Sequence, residues 1–137
     1  MTIITLKGET CTGKTELITE LYNELCMKDS KQHFYSEEGA NKKDFKALIT
    51  YSNKKIAFCS IGYIADYGHL DSEYILRGIV FASKNEADVL INAYTEPFPE
   101  FPESIYKAII GKNKYNPISI KDGSREDIKN KIYTILG

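Results

Sequence analysis

The sequence predicts an α/β domain: a mainly parallel sheet covered by helices on both faces, with one antiparallel hairpin. Short, continuously apolar or β-branched runs, such as residues 2–6 and 88–93, have the composition of strands buried on both faces. Between such runs, apolar residues recur at helical spacing. Strands alternating with helices build a parallel sheet with both faces covered. The 137 residues suit one domain, 1–137, with no internal repeat and no linker composition.

The first strand, residues 2–6, ends at Lys7-Gly8. Leu17, Ile18, Leu21, Tyr22, Leu25 and Cys26 then mark one face of a helix over about residues 14–27. A short strand is expected at residues 32–35, parallel and next to the phosphate loop, and then a polar loop, 36–43, carrying Glu37, Glu38 and Gly39. Residues 45–51 and 55–61 are strand-like and joined by Ser52-Asn53-Lys54, which predicts the hairpin. Ile75, Leu76, Ile79 and Val80 set a helix from Asp71 to about Lys84, with Asp71 or Ser72 as its N-cap.

A buried-type strand follows at residues 88–93. Pro97, Pro99 and Pro102 rule out regular helix or central strand across residues 95–102 and leave a loop or lid there. Residues 104–110 read as a short helix, 117–120 as the last strand, and 124–136 as a closing helix in which Ser124 and Asp127 have capping-box spacing.

Apolar residues make up 42% and charged residues 27%, the balance of an ordinary folded domain. A net charge of −1 carries no nucleic-acid signature, which is normally a basic face. No apolar run reaches the roughly 18 to 20 residues that cross a bilayer, and the first strand is not preceded by a basic region, so no membrane association and a cytoplasmic location are expected. Cys11, Cys26 and Cys59 are odd in number and lack C-x-x-C spacing, which indicates neither a disulfide framework nor a zinc site.

The chemistry concentrates in Gly8-Glu9-Thr10-Cys11-Thr12-Gly13-Lys14-Thr15, which matches G-x-x-x-x-G-K-[ST] at every fixed position. Gly8 and Gly13 permit backbone conformations that a Cβ would block, so that successive N–H groups can face an anion. Lys14 would reach the β- and γ-phosphates, Thr15 would offer a hydroxyl to Mg²⁺, and the helix N-terminus adds partial positive charge. The motif also stands in the context it requires, between a strand and a helix.

Through these eight residues and their flanking strand and helix, about the first 27 residues, the chain resembles the P-loop NTPase superfamily. The resemblance implies a three-layer α/β/α fold, a nucleoside triphosphate and Mg²⁺ at the carboxyl edge of the sheet, and hydrolysis or phosphoryl transfer. ATP, or another NTP, is the expected nucleotide, since the guanine-reading N-K-x-D pattern fails at Asn116.

Members of that superfamily usually place a second magnesium carboxylate at the end of a strand beside the loop. Here the best strand for it ends in Ser60 and Gly62, and the first acid after it is Asp66. Asp66 is therefore the candidate metal acid, with Ser60 able to hold a metal-bound water. Glu37 and Glu38 are candidates to polarise the attacking water or accept a substrate proton. Slow hydrolysis with Lys14, Glu38 and Asp66 as the catalytic set is the first expectation. A nucleotide-dependent switch acting on a protein partner is the second. A small-molecule or nucleotide kinase is the third, weakened by having only Arg77 and Arg125 to clamp phosphates. Phe98 or Tyr94 would supply any base-stacking platform.

Overall fold

A computed structural model of the chain describes residues 1–9, 12–38, 44–60, 73–96 and 102–137, with the side chains of residues 38, 73 and 74 outside that description. The described residues form six strands and four helices: β1 (Thr2–Gly8), α1 (Lys14–Cys26), β2 (Ser30–Glu38), β3 (Asp44–Tyr51), β4 (Lys54–Cys59), α2 (Glu73–Lys84), β5 (Val89–Thr95), α3 (Glu103–Ile110), β6 (Lys114–Ser119) and α4 (Arg125–Leu136). The strands form one sheet in the order β2-β3-β4-β5-β1-β6.

The pairs β4–β5, β5–β1 and β1–β6 are parallel, whereas β2–β3 and β3–β4 are antiparallel. The mixed α/β class and mostly parallel sheet expected from the sequence are therefore present. β5 is central and every one of its residues is buried, as its unbroken apolar run predicts.

Alternation along the strands divides the core in two. Ile4, Leu6, Phe58, Ile91 and Ala93 face α1 and α4, where they meet Leu17, Ile18, Leu21 and Leu25 of the predicted α1 stripe and Ile128 and Ile132 of α4. Ile3, Ala57, Leu90 and Tyr94 face α2 and α3, packing with Ile75, Ala82, Tyr106 and Ile110. Each fully buried leucine of α1 contributes about 1.5–3 kcal/mol. This stripe fixes the first turn of α1 against the sheet.

The hairpin turn is Ser52-Asn53, with φ of 51° and 62°, the pair of positive values that a two-residue type I′ turn needs. Two expectations change. Residues 36–38 extend β2 rather than opening a loop, because each pairs with β3, ending at Glu38 opposite Asp44. And β2 is not next to the phosphate loop: it lies at the far edge of the sheet, antiparallel to β3.

Two successive antiparallel pairings nevertheless return β2 to the direction of β1. The ends of β1, β2, β4 and β5 and the start of β3 consequently share one edge of the sheet.

Candidate functional site

The glycine loop leaves β1 at that edge, held from both sides. Ile120 N donates to Lys7 O at 2.8 Å and Glu96 N donates to Gly8 O at 2.9 Å. Lys7 Nζ also donates to Glu103 Oε2 at 2.7 Å, tying the end of β1 to the start of α3. That ammonium lies first among the causes that hold the Glu103 carboxyl below the usual glutamate range, and Tyr115 adds a second donor.

Glycine is required at both ends of the loop for different reasons. A Cβ on Gly8 would lie 2.5 Å from Ile120 Cγ2 and 2.9 Å from Thr12 Oγ1, so the position is closed by packing. Gly13 has φ 91° and ψ 16°, a left-handed conformation in which it serves as the N-cap of α1. As glycine it offers no capping side chain to the first turn of the helix. α4 differs: Ser124 and Asp127 complete its predicted capping box. Thus α4 satisfies its own amino end, while that of α1 faces the glycine loop.

Lys14 is 6% exposed, and its ammonium donates to Gly8 O at 2.9 Å and Glu9 O at 2.6 Å. Thr12 Oγ1 donates to Glu9 O at 2.6 Å, closing the loop on itself. Across the sheet register from Gly8 stands Thr95, the last residue of β5. Its hydroxyl is buried on the α1 side and has no hydrogen-bond partner among the described residues. A buried hydroxyl in that state is normally satisfied by water or a ligand.

Thr15 Oγ1 donates to Asp44 Oδ1 at 3.0 Å. Ser60 Oγ donates to the same oxygen, also at 3.0 Å, while accepting from Phe45 N at 2.8 Å. Three hard oxygen groups, from α1, β3 and the end of β4, are thereby gathered beside the loop. Asp44 has no place in the sequence expectations. Its signal would have been an acid heading a strand that runs backward, so that its first residue lies where the parallel strands end.

The remaining expectations divide. Glu37 is exposed near the end of β2, at the same sheet edge as the loop. The side chain of Glu38 and all of Thr10, Cys11, Asp66 and Phe98 lie outside the described residues, as does most of the Pro-rich segment. Tyr94 is 3% exposed and packs on Tyr106, so it belongs to the core and offers no open face to a base. Arg125 lies beside Gly13, where a Cβ would come within 3.3 Å of Nη2, and pairs with Glu20. Lys121 stands 3.5 Å from Glu9.

A groove of about 460 Å³ lies at the opposite edge of the sheet, lined by Asp29, Ser30, Thr50 and Asn53 among others. It is remote from the described residues of the glycine loop. Among the described residues no cluster of three or more His, Cys, Asp or Glu forms a metal site, and no helix is long and apolar enough to cross a membrane.

Comparison with protein-family models, with curated proteins and with solved structures gives no match for this chain. The functional reading therefore rests on the loop and the groups around it.

Proposed function

We propose that the loop from Gly8 to Thr15 binds the phosphates of a nucleoside triphosphate, ATP being the expected one, together with Mg²⁺, and that the chain hydrolyses it slowly. The observation that carries this reading is the amino end of α1. It opens on a left-handed glycine with no side-chain cap, and the Lys14 ammonium is held at the loop's own carbonyls. Uncapped N–H groups, the helix dipole and a fixed cation together favour a multiply charged anion. The buried hydroxyl of Thr95 beside Gly8, without a partner among the described residues, adds a donor that such an anion would satisfy.

The donor set fits Mg²⁺, which takes oxygen ligands, and Thr15 supplies one from the first turn of α1. A magnesium ion held there by Thr15 would supply positive charge to offset that developing on the phosphates. Lys14 neutralises phosphate charge, and the backbone of residues 8–15 orients the chain of phosphates. This arrangement favours the P-loop NTPase fold as the finer description of the α/β sheet. Slow turnover is expected because neither the end of β4 at Cys59 nor the Ser60 that follows it supplies an acid. Glu37, Glu38 and Asp66 remain the proposed sources of a water-positioning carboxylate.

Release of inorganic phosphate from ATP tests the hydrolytic part. It should be slow, Mg²⁺-dependent and abolished in Lys14→Ala. Release that is unchanged in that variant overturns it.

One observation favours a switch acting on a protein partner. β2 is an outer edge strand, and it carries Phe34 and Tyr35 at 42% and 50% exposure next to the strand that Thr15 contacts through Asp44. Equal partner capture with a non-hydrolysable ATP analogue and with ADP would remove this second reading.

A further inference from the structure

The end of β4 is where a magnesium carboxylate is sought, and it presents the hydroxyl of Ser60 instead. That hydroxyl is not idle. It accepts from Phe45 N at 2.8 Å and donates to Asp44 Oδ1 at 3.0 Å, with Phe45 O the more distant acceptor at 3.4 Å, and so holds the carboxylate that heads β3. The same Oδ1 accepts from Thr15 Oγ1. A backward-running strand thus delivers, from the neighbouring position in the sheet, the acid that β4 lacks.

The spacing of this hydrogen bond also suits a metal shell. Magnesium holds its oxygens at about 2.0–2.1 Å in octahedral geometry, which puts adjacent ligands about 2.9 Å apart. Thr15 Oγ1 and Asp44 Oδ1 are 3.0 Å apart. One is the residue that the loop motif assigns to Mg²⁺, and the other is an oxygen of a carboxylate, the ligand type that cation prefers.

We infer that Asp44 is a direct ligand of the nucleotide's Mg²⁺ and that Ser60 is the residue that positions it. This rests on the proposed nucleotide-binding role of the loop. A bound metal would take the place of the Thr15–Asp44 hydrogen bond, held by both oxygens. The Ser60 bond keeps the carboxylate in place in both states. Because Asp44 lies opposite Glu38 in the β2–β3 ladder, the metal is tied directly to the outer strand pair.

The test is calorimetric titration of ATP in EDTA and in Mg²⁺, together with Mn²⁺ affinity in saturating ADP read from the free-Mn²⁺ EPR signal. It is run on the unaltered chain, Asp44→Asn and Ser60→Ala. Asparagine keeps an oxygen to accept from Thr15 and Ser60 and removes only the charge. In the unaltered chain Mg²⁺ should tighten ATP by at least about tenfold, the equivalent of about 1.4 kcal/mol.

Asp44→Asn should bind ATP in EDTA as well as the unaltered chain or better, while losing most of the Mg²⁺ gain and about tenfold or more in Mn²⁺ affinity. Ser60→Ala should lose a smaller part of both, and it carries the test if the Asn variant does not fold. Full Mg²⁺ gain and unchanged Mn²⁺ affinity in the variants overturn the role of Asp44 and leave nucleotide binding standing. Failure of the unaltered chain to bind ATP in either condition overturns both.

Discussion

The hydroxyl of Thr15 donates to Asp44 across 3.0 Å, joining the first turn of α1 to the first residue of β3 over 29 positions of sequence. The contact brings the end of the glycine motif against a strand that has no sequence link to it.

Thr15→Val keeps the shape of the side chain and removes the hydroxyl. In the absence of ligand it should cost about 1 kcal/mol, since one partly buried hydrogen bond to a carboxylate is lost. ATP binding in EDTA should be nearly unchanged, and the tightening by Mg²⁺ should disappear. Calorimetry with and without Mg²⁺ checks both. A variant with undiminished Mg²⁺ dependence would take Thr15 out of the metal site.

Gly8→Ala should destabilise the chain by about 1–3 kcal/mol, because the added methyl would overlap Ile120 Cγ2 at 2.5 Å. Removing the obstruction with Ile120→Ala should recover part of that cost. A double-mutant cycle by urea denaturation reads the recovery as a favourable coupling. Strict additivity would mean that Gly8 is required by the loop's backbone alone.

Much of this was legible in the sequence, and the parts that were not have a common cause. The α1 stripe of Leu17, Ile18, Leu21 and Leu25 obeys a local period, and the Ser124–Asp127 box is a local motif, so both read correctly. Ser52-Asn53 likewise announces its own turn. By contrast, the edge position of β2 depends on which strand it pairs with, and nothing in residues 30–38 encodes that. Asp44 was missed for the same reason. A metal acid was sought at the carboxyl end of a parallel strand, whereas a reversed strand reaches that edge with its first residue. The buried face of Tyr94 is a third case, decided by α3 packing over it.

Tyr106 is fully buried, and its hydroxyl contacts Thr5 Oγ1 at 2.9 Å and accepts from Asn92 Nδ2 at 2.8 Å. Tyr106→Phe strips Asn92 of an acceptor in the middle of the sheet. The expected loss is about 1–3 kcal/mol in urea denaturation, the cost of a buried polar group left short of a partner. ATP affinity should stay the same, because this cluster lies on the sheet face opposite α1. A matching loss of ATP affinity would show that the two faces are coupled.

Acid should weaken the tie between β1 and α3. The folded-state pKa of Glu103 is lowered, with Lys7 the leading cause, so its stabilising contribution is full above the glutamate's unfolded pKa of about 4.3 and is lost as pH falls through the lowered folded value. Glu103→Gln should therefore flatten the acid side of the melting-temperature profile below about pH 4.3 and lower its plateau near neutrality. Parallel profiles for the variant and the unaltered chain across that range would remove Glu103 from the account.

The central claim is that residues 8–15 form a phosphate-binding loop, and Mg²⁺·ATP binding tests it most directly. At ligand about 100-fold above its dissociation constant, binding should add about 2.7 kcal/mol and raise the melting temperature by several degrees. The account predicts that shift for the unaltered chain and its loss in Lys14→Ala. No shift with any nucleoside triphosphate, or an equal shift in both proteins, would contradict it.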